Sequence, residues 1–299
     1  MIADKYDIDC RISVSGYAKK YVYRTADDIL FESSCYFRPT INRFDLCVST
    51  SAGCALGCRI CQCTYSAEVY QRELRDQEII DQIMHMMSVG ERYMQNDTVV
   101  LVVFMGNGDS FQNIENVLSA ISGVHSVFSG KVTRYGISTI GNNIECVNGL
   151  SELSLKEKIE IRLQLSVLTV RARDRRKLLP KALDLDCALK YLDIYAEITG
   201  TKVRYNFPMI RGLNDGKEHL DAVIKCFAGY NDKRVVRLSN YNEISNMAYQ
   251  PSLDDIIYAS ADYLKSGGLD VEIFFSDRDS GISGSCGQMR DLAFKSIDA

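Results

Sequence analysis

No stretch of about 18 uncharged apolar residues occurs in this chain, so no membrane-spanning helix is expected. The opening residues, Met1 to Cys10, lack the apolar core of a secretory signal, and the chain reads as cytoplasmic. Positive charge is not in excess either. Lys and Arg total 35 against 39 Asp and Glu, a net charge of -4, so a nucleic-acid partner would need a local basic patch. The 299 residues include only four prolines and show no Pro/Gly/Ser linker, internal repeat or low-complexity tract. One core with an N-terminal extension is the simplest division of that length. His85, His125 and His219 stand apart from one another, so no histidine metal site is expected. With 46% hydrophobic and 25% charged residues, the composition excludes disorder and fibrous repeats.

Sulfur is what the chain has in quantity. Eleven cysteines without a secretion signal argue against an extracellular disulfide scaffold and call for thiol, metal or catalytic chemistry. The surrounding pattern is α/β. β-rich runs at 44–49, 98–104, 132–138, 159–165, 203–207 and 234–238 alternate with helical periods at 76–94, 113–128, 142–153, 173–196, 217–227 and 252–266. Six βα units fit a partial (β/α)6 barrel or a doubly wound sheet, and in both the functional groups gather beyond the carboxyl ends of the strands. Short runs at 8–13, 21–24 and 29–37 predict a β extension over 1–43, leaving 44–299 as the core domain.

Directly after the first core strand comes Cys54-Ala55-Leu56-Gly57-Cys58-Arg59-Ile60-Cys61, with Gly53 and Gly57 giving the backbone freedom to wrap closely. A structural zinc site closes its shell with four protein ligands, and no second Cys-x2-Cys pair is visible; Cys63 as a fourth ligand would strain. Three thiolates on a 4Fe-4S cluster leave one iron open for a substrate or cofactor. This spacing is the radical S-adenosylmethionine (SAM) signature. Zinc and a metal-free loop are the competing readings.

The sequence then resembles a family. Leu46-Cys47-Val48-Ser49 ahead of the cysteine loop, Arg72-Glu73-Leu74 before Glu78-Ile79-Ile80, and Val103 to Asp109 with Gly106 and Gly108 match the radical SAM adenosine methyltransferases of ribosomal and transfer RNA, the RlmN/Cfr group. The match continues through Ile137-Ser138-Thr139, Leu165-Ser166, Arg175 with Leu178 and Pro180, Gly212 to Asp215, and Arg278 ahead of Cys286-Gly287-Gln288. It runs from about residue 30 to 290.

The resemblance implies a radical SAM barrel. It assigns Cys54, Cys58 and Cys61 to the 4Fe-4S cluster, and Gly108, Asp109, Ser138, Ser166, Val167, Leu168 and Asn242 to SAM. Cys286 matches the cysteine that is S-methylated, Cys47 the thiol that resolves the adduct, and Glu32 the proton acceptor. The implied reaction uses two SAM molecules: one methylates the Cys286 thiolate, and the other yields a 5'-deoxyadenosyl radical that removes hydrogen from that methyl. The carbon radical adds to an adenine ring carbon, a base takes the ring proton, and a Cys47 to Cys286 disulfide releases the product. An electron donor such as flavodoxin or ferredoxin is implied, with RNA or a nucleotide-containing substrate.

The sequence departs from the family at several points. The helical RNA-binding domain that usually precedes the core is not expected here, because the first motif cysteine is residue 47. Leu168 replaces the usual His, and Asp109 the usual Glu. Other radical chemistry on a small substrate is therefore an alternative, as is a non-enzymatic metal-binding module contacting nucleic acid. Its contact would be the basic run Arg171, Arg173, Arg175, Arg176, Lys177 and Lys181, otherwise a solvated helix face. Cys10, Cys35, Cys63, Cys146, Cys187 and Cys226 match nothing catalytic and are expected as buried thiols.

Overall fold

The computed structural model describes residues 2–13, 15–66, 69–128, 130–244 and 247–275. Three antiparallel strands come first: β1 (Asp7–Ile12), β2 (Ala18–Arg24) and β3 (Leu30–Arg38). They lead into β4 (Arg43–Cys47), and a small hairpin of β5 (Ser51–Gly53) and β6 (Tyr70–Glu73) carries the cysteine loop at its tip. Then helices and parallel strands alternate: α1 (Asp76–Gly90), β7 (Val99–Phe104), α2 (Ile114–Val127), β8 (Val132–Thr139), α3 (Val147–Glu157) and β9 (Ile161–Ser166). They continue with α4 (Ala172–Leu178), α5 (Leu185–Thr199), β10 (Val203–Met209), α6 (Lys217–Phe227), β11 (Arg234–Asn240), α7 (Asp254–Ser266) and β12 (Val271–Phe274).

One ten-stranded sheet runs in the order β1-β2-β3-β4-β7-β8-β9-β10-β11-β12. Every pair from β4 to β12 is parallel, and the extension adds to the β4 edge in antiparallel register. The six expected core strands are all present. The expected helix over 173–196 is two helices, because Pro180 cannot continue α4 and biases Leu179 before it out of the helical region. The expected helix over 142–153 begins later, at Val147, after a 3-10 turn over Ile144–Cys146. Among the described residues no helix is long and apolar enough to cross a membrane.

Alternation along the parallel strands sorts side chains to two faces. Val100, Val102 and Phe104 on β7, Ile161, Leu163 and Leu165 on β9, and Val203, Tyr205 and Phe207 on β10 are buried with Ile79, Val117, Leu192 and Val223 of the covering helices. This outer layer is the core. Their strand neighbours Arg162, Gln164, Arg204, Asn206, Arg237 and Ser239 line a cavity on the concave face instead. Polar and charged residues make up most of that lining, beside Ile60, Leu101, Val103, Met105 and Phe274.

Helix α6 fixes the segment beyond β9. His219 is buried, with Nε2 at 3.1 Å from Thr169 Oγ1, and burial lowers its pKa from 6.5 to about 4. Because the folded-state pKa lies below the unfolded value, this contribution to stability is present above about pH 6.5 and fades toward pH 4. The wild-type Tm is expected to fall more between pH 7 and pH 5 than that of His219→Gln; parallel pH slopes in thermal melts would contradict this.

Candidate active site

β4 ends on Cys47, and the chain turns through Ser49 toward the cysteine loop. Ser49 is locked from three sides: its N-H donates to Gln82 Oε1 at 2.9 Å, its Oγ donates to the Glu32 carbonyl at 2.5 Å, and its own carbonyl accepts from Gln82 Nε2 at 3.1 Å. Ser34 pairs with Cys47 across β3 and β4. Residues two apart on a strand share a face, so Glu32 lies on the face of Cys47, one step nearer the loop. Glu32 is paired with Lys20 of β2 at 3.1 Å, and both side chains are almost wholly buried. Sequence reasoning missed Lys20. Cys47, Glu32, Lys20 and Asn242 line one cavity of about 460 Å³.

The cysteine loop is held by close backbone approach. Gly53 has φ +82°, and a Cβ there would sit 2.2 Å from the Val69 carbonyl oxygen. Cys54 N-H donates to that carbonyl at 2.8 Å, and Arg59 N-H donates to the Leu178 carbonyl at the end of α4 at 2.8 Å. Cys54 and Cys58 pack against Leu56, Ile140, Leu168 and Leu178. Burial pushes the Cys54 thiol up to about 12, with Cys61 adding to the rise. Cys58 is raised by burial and by the charges of Cys61 and Cys54, whereas Cys61 is lowered by its hydrogen bond with Cys63. The three thiols thus share one electrostatic environment. Among the described residues, however, no three His, Cys, Asp or Glu side chains converge closely enough to chelate a single ion.

Opposite this loop stands Gly106-Asn107-Gly108-Asp109, after β7. The Asn107 carbonyl accepts from Thr50 N-H at 2.9 Å and Ser51 N-H at 3.2 Å. Gly108 has φ +94°, and a Cβ there would lie 2.2 Å from Ser51 Oγ. Its lack of a side chain is therefore already needed to seat the cysteine loop. Asp109 is buried and accepts from Phe111 N-H at 2.9 Å, Thr139 Oγ1 at 2.8 Å and Ile140 N-H at 2.8 Å. Burial raises its pKa to about 6 against those bonds. Its carboxylate ties the end of β7 to the end of β8.

Ser138 and Ser166 sit at the carboxyl ends of β8 and β9, and Ser138 Oγ accepts from Gln164 Nε2 at 3.3 Å. Val167 and Leu168 are fully buried, and Leu168 is held at φ +64°, a strained value for leucine. Asn214 Nδ2 donates to the Leu168 carbonyl at 2.8 Å. Arg175 departs from the solvated-face reading of its basic run: it is buried, and its guanidinium donates to the carbonyls of Ser166 at 3.1 Å, Val167 at 3.0 Å and Ile140 at 2.9 Å. Arg171, Arg173, Arg176, Lys177 and Lys181 are exposed.

Cys35, Cys63 and Cys146 are buried as expected. Cys10, on edge strand β1, and Cys187, in the first turn of α5, are exposed, and Cys226 is intermediate. Cys286 lies outside the described residues.

No family model matches the chain. A radical SAM methyltransferase from Sphaerobacter thermophilus superposes with a TM-score of 0.82, covering 95% of this chain and 80% of that one at 22% identity. The probable dual-specificity RNA methyltransferase RlmN of Nostoc punctiforme is 31% identical over 83% of this chain, which spans 65% of that relative's length. That of Acaryochloris marina is 30% identical over 91% of this chain and 73% of its own length. The chain belongs to the RlmN family of radical SAM RNA methyltransferases. RlmN is a transferase family. The superposition shows that the chain shares the fold of that radical SAM methyltransferase.

Within this RlmN-type barrel, the structure gathers Cys47, Glu32 and Asn242 at one cavity and sets the cysteine loop beside the ends of β7, β8 and β9. Arg175 organises the last of these ends without entering the cavity. Arg175→Met should lower stability by about 2–5 kcal/mol, since three buried carbonyls lose a charged donor. Urea unfolding followed by circular dichroism measures this, and an unchanged midpoint would refute the positioning role.

Proposed function

We propose that this protein methylates a ring carbon of adenine in RNA or a nucleotide-containing substrate, through a methyl group carried on Cys286. The observation that carries the reading is Cys47 and the buried Glu32 on one face of neighbouring strands, lining the cavity that Asn242 also lines. Family membership supports it.

Cys54, Cys58 and Cys61 would hold a 4Fe-4S cluster. The Cys54 and Cys58 thiols feel each other and Cys61 electrostatically, and three thiolate ligands on a cluster would leave its fourth iron open. The cluster and SAM, when bound, would supply the one-electron chemistry that activates a methyl group. Ser138, the segment Ser166 to Leu168, and Asn242 would bind SAM; Gly108 and Asp109 would act by shaping the loop against which it rests. Glu32, paired to Lys20, would accept the ring proton at a carboxylate oxygen. Cys47 would close a disulfide with Cys286 and free the product. A low-potential donor of the flavodoxin or ferredoxin type would feed the cluster, and the compartment this implies is the cytoplasm.

Mass spectrometry of protein expressed with SAM available should find a methyl group or derived methylene on Cys286. An unmodified Cys286 under active turnover would overturn the mechanism.

A further inference from the structure

The barrel floor carries a charge pattern that the proposed chemistry leaves unused. Six arginines are grouped in pairs, each pair sharing one carboxylate. Arg38 and Arg43 meet Asp45 at 2.8 and 2.7 Å. Arg134 stands 3.6 Å from Glu160, which also pairs with Arg162. Arg204 and Arg237 both contact Oε1 of Glu272, at 2.9 and 2.6 Å. All six arginines line the cavity that holds Cys47 and Glu32. They come from β3, β4, β8, β9, β10 and β11, so the belt passes round most of the barrel.

The six arginine side chains are 16–31% exposed, and even partial burial of unmatched charge is costly, so a floor built only for structure would balance its charges. Among the described residues, these six arginines outnumber the three carboxylates they pair with by three. Among the described residues, Arg38, Arg162 and Arg204 hydrogen-bond to protein through Nε alone, and Arg134 makes no hydrogen bond. Their terminal Nη groups, which form the fork that matches phosphate oxygens, are left over. Asn206, 9% exposed and with Oδ1 lacking a partner among the described residues, lines the same space. Arg43 lies four residues before Cys47 on β4, about 13 Å along the strand.

We infer that the arginine belt is a phosphate subsite for a nucleotide whose base stands at Cys47 and Glu32. The inference rests on the proposed methyl transfer for the orientation of the base, but not for the anion site itself. A phosphate or diphosphate supplies the two or more negative charges that the belt lacks, and arginine forks bind it bidentately. The phosphate could belong to a free nucleotide or to one nucleotide of an RNA strand.

Calorimetric titration of the full chain with AMP, adenosine, pyrophosphate and a short adenosine-containing RNA separates these cases. AMP should bind at least tenfold more tightly than adenosine, and pyrophosphate should compete with it. The double variant Arg134→Gln/Arg204→Gln should lose that tenfold preference. Glu272→Gln, which adds to the positive excess, should strengthen AMP binding, so a poorly folding double variant does not end the test. Competition of RNA by pyrophosphate upholds the subsite with a strand as its source, and binding of AMP but not RNA upholds it with a free nucleotide. Equal binding of AMP and adenosine, or an AMP preference that none of these substitutions shifts, overturns it even if Cys286 is methylated. An AMP preference in a protein whose Cys286 is never methylated keeps the subsite and defeats the methyl-transfer reading.

Discussion

Everything in this structure depends on a largely parallel sheet that packs its helices against one face and turns many polar side chains to the other. Parallel strands are usually covered on both sides and read as continuous apolar runs. Here β9, β10 and β11 alternate, as in Ile161, Leu163 and Leu165 facing the helices while Arg162 and Gln164 face inward, whereas β7 is apolar on both faces. The helices pack most of the main hydrophobic core onto the outer face. The inside is thereby released from packing and can hold a polar cavity, with the strand ends converging at one mouth and the arginine belt at the other.

The mouth is organised by backbone contacts more than by side chains. Ser49, Thr50 and Ser51 meet the Asn107 segment closely enough that Gly108 has no room for a Cβ. The cysteine loop is consequently fixed to the ends of β7 and, through Asp109, to the end of β8. Arg175 continues the same arrangement to β9 by donating to three carbonyls. Much of the sequence pattern shared with the family is thus framework that sets the distance between loops, and a smaller set faces the reaction space.

How much of this could be read from the sequence follows from the range of each interaction. The Cys54, Cys58 and Cys61 spacing is local and was legible at once, as were the six core strands, whose outer faces are apolar and regular. Glu32 was legible only through the family resemblance; the Ser34 to Cys47 register gives its physical reason. Lys20 could not be found, because its partner lies across a strand pairing that no local pattern specifies. Arg175 looked like one more charge on a solvated face, and only the turn at Pro180 shows that its end of α4 points into the protein. The arginine belt stayed hidden because its members are scattered between residues 38 and 237 and are united only by sheet register. An inward alternation of Arg with Gln, Asn or Ser on strands expected to be buried was the available signal.

The most direct test of the account is anaerobic incubation of the cluster-reconstituted protein with SAM, a reductant and total RNA, followed by mass spectrometry of nucleosides. The account predicts a C-methylated adenosine together with 5'-deoxyadenosine, and loss of the methylated product in Cys286→Ala. Formation of 5'-deoxyadenosine with no methylated adenosine in RNA or nucleotides, or methylation that survives in Cys286→Ala, would contradict it.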